Sequence, residues 1–198
     1  MPHVVREDGS LNDAAIALLH AVSSVDAELI RAARIRPSRS NWLRVPWYRY
    51  HRGGAITVGR TIWFTRLWWQ RDGRGDGSPA STWYWLLLLA HEVGHLPQAK
   101  RYGLNIVGKA RYVAAFAWQY GSRAVLLKKD VHDGANLERE AELGRWVLMH
   151  LLGPQAAVHP MVAAVAADDL QAVKEWCKIQ ERVIVKAQVA YRERFLFR

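Results

Sequence analysis

Residues 83–95 read Trp83-Tyr84-Trp85-Leu86-Leu87-Leu88-Leu89-Ala90-His91-Glu92-Val93-Gly94-His95. The first eight are apolar, and a helix that is apolar all round is normally buried in a protein core. A Gly-rich stretch over residues 72–79 precedes them, and Ser81 and Thr82 are candidate N-caps for a helix that begins there. The sequence therefore predicts a buried helix at the centre of the domain, with residues 91–95 at its carboxyl end.

Residues 91–95 form an HExxH motif, which places two imidazoles on one face of the predicted helix. From His91 and His95 both rings can reach one metal ion, and Glu92 can act as general base on metal-bound water. The alternative is a core helix with two incidental histidines, but a charged Glu92 is costly to bury without a partner or a metal. We therefore expect a Zn²⁺ centre, one ion per chain, with His91 and His95 as ligands and Glu92 as catalytic base.

A third protein ligand is needed for tetrahedral Zn²⁺, with the fourth position left to water. The longer motif HExxHxxGxxH is excluded, because Gln98 and Arg101 occupy the positions of its Gly and last His. Glu138 and Glu142 share one face of a predicted helix, whereas Glu140 points about 200° away. One of the two carboxylates would bind the metal and the other would orient a ligand histidine. The alternative is a solvated acidic face near a helix N-terminus.

The pattern HExxH followed by Glu-x-x-Ala-Glu resembles that of the gluzincin peptidases related to the CaaX-prenyl and heat-shock membrane proteases, and of their small soluble relatives, the minigluzincins. The resemblance covers residues 55–145, roughly. It implies that Glu138 is the third zinc ligand and that Ala141 is the small residue of the pattern. Glu142 stands where the family has Asp and would bond a ligand histidine. Gln98, three residues after the second His, is shared with small bacterial HExxH proteins.

The reaction that these residues imply is hydrolysis of a peptide bond. Zn²⁺ lowers the pKa of its water towards 7, and Glu92 takes the proton and delivers it to the leaving amine. A further donor would stabilise the oxyanion by about 3–4 kcal/mol. His132, in the loop before the Glu138 helix, is our first candidate for that donor, ahead of Tyr112 and Tyr120. The alternative for His132 is an ordinary surface residue.

Composition limits the class of protein. The chain has 198 residues, of which 51% are hydrophobic, enough for one domain with its own core. Cys177 is the only cysteine, which excludes an internal disulfide and a cysteine-based zinc site. No apolar run reaches the length of a membrane span, and the first residues lack the basic-then-apolar layout of a signal peptide. We therefore expect a cytoplasmic protein without a transmembrane segment.

The net charge of +10 is unevenly distributed. The Arg31–Arg52 patch contains seven arginines and no acid, and Trp42, Trp47, Tyr48 and Tyr50 are interleaved with them. Such a mixture suits phosphate contacts and base stacking, or an anionic membrane surface. The alternative is a connector whose aromatic rings pack on the core beneath arginine stems. We favour the connector, because no recognised nucleic-acid module accompanies the patch.

Two segments before the motif have clear periodicity. Apolar residues at helical spacing predict a helix over residues 12–35, ended by Pro37. Residues 55–68 are rich in β-branched and aromatic side chains and predict a strand or a hairpin, with Gly59 at a turn or bulge. In a zincin, the edge strand before the motif helix binds extended peptide, and residues 55–68 are the candidate for that strand.

The segments after the motif are predicted to be helical. Pro97 cannot donate to the carbonyl of the preceding turn, so we expect a kink or an end of the motif helix near Leu96. Residues 110–128 predict a further helix, interrupted at Gly121. Residues 160–198 predict one or two amphipathic helices among Lys and Arg, with an internal cap at the paired aspartates.

These predictions describe an α+β fold: one small zincin-like domain over residues 1–198, mainly helical, with a short sheet beside the HExxH helix. Its catalytic core would span about residues 55–152, with an N-terminal helix over 12–35 and a C-terminal helical extension over 160–198. The leading hypothesis is a zinc metallopeptidase that acts on a peptide or protein. The alternatives are a zinc scaffold without turnover, and a nucleic-acid or anionic-surface binding module that uses the Arg31–Arg52 patch.

Overall fold

The computed structural model describes residues 4–38, 54–65, 69, 79–126 and 136–197. The described part of the chain is mostly helical and includes one three-stranded sheet, which confirms the α+β class. In chain order the elements are α1 (Asp13–Ser23), α2 (Ala27–Arg31), β1 (Arg34–Pro37), β2 (Ala55–Val58), β3 (Thr61–Phe64), α3 (Pro79–Glu92), α4 (His95–Tyr102), α5 (Ile106–Leu126), α6 (Asn136–Ala141), α7 (Leu143–Leu152), a 3₁₀ helix (Gly153–Val158), α8 (Pro160–Ala166) and α9 (Leu170–Phe195).

The sheet has the strand order β1-β3-β2. β2 and β3 form an antiparallel hairpin, one of the two arrangements predicted for residues 55–68, and β1 joins the other side of β3 in parallel. Gly59 lies in the hairpin turn with a φ of 65°, a left-handed conformation that glycine adopts without steric cost. Among the strands that the structure describes, β2 therefore lies at an edge of the sheet, and it packs against α3, α4 and α5.

The single helix predicted over residues 12–35 is wrong. α1 ends at Ser23, Ser24 adopts a left-handed φ of 59°, α2 is a separate short helix, and residues 34–37 form strand β1. The Ser23 hydroxyl donates to the carbonyl of Leu19 and accepts from the amide of Val25, so it terminates the helix locally. Apolar spacing continues through this corner, which is why periodicity alone predicted one long helix.

The core is built around α3. Trp85, Leu86, Leu89 and Ala90 are fully buried where α3 packs on α7, α8 and α1. Trp85 stacks on Phe64 of β3 with ring centroids 4.2 Å apart, which attaches the sheet to the helix. The central, buried position of this helix is as predicted. It begins at Pro79, however, so Ser81 and Thr82 lie inside its first turns and do not cap it.

The break caused by Pro97 falls inside the HExxH motif and not near Leu96. α3 ends at Glu92 and α4 begins at His95. Pro97 lacks an N–H, so the carbonyl of Val93 accepts instead from the amide of Leu96, at 3.0 Å. The amide of Gly94 likewise donates to the carbonyl of His91, also at 3.0 Å. The chain tightens for one turn and then continues as α4, with Pro97 tolerated in the first turn of the new helix.

The C-terminal segment is two helices, as predicted. α8 is followed by α9, and the side chain of Asp169 caps α9 by accepting from the amide of Ala172. α9 lies along α1, where Gln188 donates to the carbonyls of Ala21 and Val22. The interruption predicted at Gly121 is wrong, because α5 is continuous through that residue. Among the described helices, none combines the length and apolar character needed to cross a membrane.

Candidate metal centre

Three donor atoms converge where α3, α4 and α6 meet. Nε2 of His91 and Nε2 of His95 lie 3.3 Å apart. Oε2 of Glu138 lies 3.2 Å from Nε2 of His91 and 3.8 Å from Nε2 of His95. All three side chains are buried, and their donor atoms lie within 4.8 Å of one another. The structure thus brings together the three residues that the sequence predicted as ligands, and two nitrogens with one oxygen are a donor set that Zn²⁺ uses in catalytic sites.

A close backbone approach brings Glu138 to the two histidines. A Cβ atom added at Gly94 would lie 2.5 Å from Cα of Ala141 in α6, closer than real side chains allow. A Cβ added at Gly144, at the start of α7, would lie 2.8 Å from the carbonyl oxygen of Ala90. The α6–α7 segment can therefore pack directly on the backbone of the motif only because Gly94 and Gly144 have no side chain.

Each histidine is held by a hydrogen bond at its other ring nitrogen. Nδ1 of His91 donates to Oε2 of Glu142 at 2.8 Å, and Arg145 donates to the second oxygen of that carboxylate. Nδ1 of His95 donates to Oε1 of Gln98 at 2.9 Å, and Gln98 in turn donates to the backbone carbonyl of Leu137 at 2.7 Å. With Nδ1 committed as a donor, Nε2 of each ring faces the shared centre.

Glu142 lies where a residue that orients a ligand histidine was expected, whereas the role of Gln98 at the other histidine was not predicted. From the sequence, Gln98 served to exclude the longer HExxHxxGxxH motif and formed part of the resemblance, but its bond to His95 was not predicted. The signal that could have found it is its position three residues after His95 on a helix, a spacing at which side chains meet.

Glu92 is buried, with 4% of its surface exposed, and its carboxylate is held by β2. Oγ1 of Thr57 lies 2.7 Å from Oε2 of Glu92 and 3.0 Å from the backbone oxygen of the same residue. The contact of Thr57 with Glu92 was not predicted from the sequence. The available signal was a single hydroxyl between the apolar residues Ile56 and Val58 in a strand predicted to lie beside the motif helix. This bond fixes the carboxylate next to the three donors.

The pKa values of the two histidines are shifted in opposite directions. Burial alone would lower the pKa of His91, but hydrogen bonds to Glu138 and Glu142 raise it to about 10. Burial and the neighbouring charge of His91 together hold the pKa of His95 below its ordinary value. Without a metal, the raised pKa of His91 favours its protonated form, beside the acidic side chains of Glu138 and Glu142. A divalent cation in place of that proton brings the local charge closer to balance.

Tyr112 lies beside this cluster on the inner side of α5. Its buried ring packs on Phe116 with centroids 4.9 Å apart, and Phe116 lies 5.3 Å from the ring of His95. Among the residues that the structure describes, the Tyr112 hydroxyl has no hydrogen-bond partner. Burial, followed by the charges of Glu92 and Glu138, raises the pKa of this hydroxyl above its ordinary value, so it stays a neutral O–H donor.

The other predicted functional residues are only partly described. His132 lies outside the described residues, as does the side chain of Tyr120. In the Arg31–Arg52 patch, residues 39–52 lie outside them as well. Within the described part, Arg31 forms ion pairs with Asp13 at 2.7 Å and with Glu28 at 3.4 Å. Arg31 is thus bonded to its own domain.

Comparison of the chain with protein-family models, with curated proteins and with solved structures returned no match.

We expect the protein to bind one Zn²⁺ per chain and Glu138→Ala to lose it, because two imidazoles alone leave the ion without its third ligand. Glu142→Gln should weaken zinc binding by about 10–100-fold, since it disturbs only the orientation of His91. The measurement is zinc content by plasma mass spectrometry, followed by titration with a competing chelator. Glu175→Ala, an exposed position on α9, is the matched control. Full zinc occupancy in Glu138→Ala would refute the ligand assignment.

Zinc binding should also release a proton. His91 is protonated in the metal-free protein up to a pKa of about 10, and a ligand imidazole must be neutral. The apparent zinc affinity should therefore rise about tenfold per pH unit through neutral pH. Calorimetry at one pH in two buffers of different ionisation enthalpy would show about one proton released per ion. An affinity that does not change with pH would show that His91 is already neutral.

Proposed function

We propose that this protein is a zinc-dependent peptidase with a zincin-like catalytic domain. The observation that carries the proposal is the convergence of His91, His95 and Glu138 on one point, with the buried carboxylate of Glu92 held beside them by Thr57. Burying four ionisable groups together is costly in an ordinary core. A reaction that needs three ligands and an adjacent base accounts for all four.

Zn²⁺ would be held by Nε2 of both histidines and by Oε2 of Glu138. When bound there, it would acidify a water ligand and polarise a substrate carbonyl. Glu142 and Gln98 keep both Nε2 atoms directed at the centre by accepting hydrogen bonds from Nδ1.

Glu92 is the group that moves the proton. Thr57 donates to Oε2, which leaves Oε1 as the atom that takes a proton from the attacking water. The same oxygen then delivers that proton to the leaving nitrogen, so one carboxylate serves both halves of the hydrolysis. The Thr57 bond also prevents the carboxylate from rotating away between the two transfers.

The outer edge of β2 suits an extended peptide. The amide of Thr65 donates to the carbonyl of Gly54, which sets the hairpin register. In an antiparallel ladder the hydrogen-bonding positions alternate, so the backbone groups of Ala55 and Thr57 face away from β3. A substrate strand pairing with them would pass beside Glu92, because the Thr57 side chain touches that carboxylate. The substrate class is accordingly an unfolded or extended peptide segment.

Glu92→Gln should retain zinc and lose turnover by about 10²–10⁴-fold, because the amide cannot accept the proton. Activity would be measured on labelled unfolded casein and on a peptide pool read by mass spectrometry, with zinc content determined in parallel. Glu175→Gln is the control for removing a negative charge elsewhere. Equal turnover by Glu92→Gln, or a zinc-loaded wild type that cleaves neither substrate, would count against a peptidase.

Tyr112→Phe should lower kcat by about 10²–10³-fold while leaving KM and zinc content unchanged, because the hydroxyl would bond the developing oxyanion only in the transition state. If the Tyr112 hydroxyl served only the fold, its removal would lower the free energy of unfolding and leave kcat unchanged. Here the free energy of unfolding should stay the same or rise, since the variant removes a buried O–H that has no partner among the described residues. Tyr102→Phe, whose ring packs on Tyr112, is the matched control. A loss of stability with unchanged kcat would contradict the assignment.

A further inference from the structure

The outward side of α5 has the opposite character to that of an ordinary surface helix. Surface helices normally present charged residues to solvent and apolar residues to the core. In the described side chains of α5, the exposed positions at helical spacing are apolar, and Ile106 and Trp118 are 85% and 76% exposed. We call this set the outer face of α5; its members are Ile106, Val107, Ala110, Val113, Ala114, Ala117 and Trp118.

Cations border the outer face on both sides. At about 100° per residue, Lys109 falls next to one margin of the face and Arg111 next to the other. Residues 93–126, which include α4 and α5, contain five Lys and Arg residues and no Asp or Glu. An apolar face with basic margins and no acid is the pattern of a helix that lies in a membrane interface. The apolar side chains enter the boundary between headgroups and acyl chains, and the Lys and Arg stems reach back to the phosphates.

We propose that the outer face of α5 docks on an anionic lipid bilayer surface. The charges of the alternative partners favour an anionic bilayer over a second copy of the chain or the segment 39–53. A second copy of the chain would bring a further net charge of +10, and the segment 39–53 of the same chain contains four arginines and no acid. Nucleic acid would satisfy Lys109 and Arg111 but would leave the seven apolar side chains in water. An anionic bilayer complements both the cations and the apolar face.

Docking through the outer face of α5 would also fix the distance between the lipid surface and the candidate metal centre. Tyr112 and Phe116 point from α5 towards the candidate metal centre. Docking therefore holds that centre about one helix diameter, roughly 10 Å, from the lipid surface. The docking goes beyond the proposed peptidase activity and does not depend on it, because the outer face shares no residue with the site.

The test is co-sedimentation of the zinc-loaded protein with vesicles of phosphatidylcholine containing about 30% phosphatidylglycerol, compared with pure phosphatidylcholine. Wild type should sediment with the anionic vesicles only. Ile106→Glu and Trp118→Glu should weaken this binding about tenfold or more, because a carboxylate would have to enter the interface. Ile179→Glu, the same change at a 69% exposed position on α9, is the matched control and should bind as wild type does.

A second pair of variants tests the cations. Lys109→Gln with Arg111→Gln should weaken binding to the anionic vesicles, whereas Lys174→Gln with Lys178→Gln on α9 should not. Circular dichroism and zinc content would show that each variant is folded.

Three outcomes would overturn the proposal. The first is equal vesicle binding by wild type, Ile106→Glu and Trp118→Glu, or none by wild type. The second is a dimer in light scattering that Ile106→Glu dissociates, without vesicle binding, which would assign the outer face to a second copy. The third is binding to transfer RNA that the same variants abolish, again without vesicle binding, which would assign it to nucleic acid.

Discussion

The contact between Gly94 and the backbone of Ala141 is the constraint on which the rest of the structure depends. Two helical segments approach so closely there that a single methyl group would force them apart. Glu138 and Glu142 reach His91 from the segment on one side, and the motif itself lies on the other. A glycine between the two histidines of an HExxH motif can look like a spacer in the sequence. In the fold it is the position that lets a third ligand arrive from another part of the chain.

The centre could be predicted from sequence where its residues are linked by helical spacing. His91 and His95, and Glu138 and Glu142, are pairs four residues apart, and the resemblance to gluzincins joined one pair to the other. Thr57 could not be predicted in the same way, because its contact with Glu92 depends on how a hairpin packs across a helix. The periodicity that identified α1 also failed at Ser24, since a local side-chain bond ended the helix while the apolar spacing went on.

The helix is broken at Val93 and Gly94, between the two histidines, and yet their side chains still converge. Pro97 removes one helical hydrogen bond, and the turn that precedes it is tighter than an α-helical turn. The disturbance was expected beyond both ligands, because the ring of Pro97 lies beyond both. The carbonyl that loses its donor lies one turn earlier, between them. The imidazoles still converge, because Glu142 and Gln98 hold each ring separately at Nδ1.

The position of Glu138 in the sequence also affects the stability of the whole folded chain. Roughly forty residues separate it from His95, and they include all of α5. An ion shared by the two residues would act as a cross-link that closes this long loop. Because the ion would bind only when the chain is folded and the loop is closed, its binding free energy would add to the free energy of unfolding. Metal availability would then govern how much of the chain is folded, through an ion that joins two distant parts of the sequence.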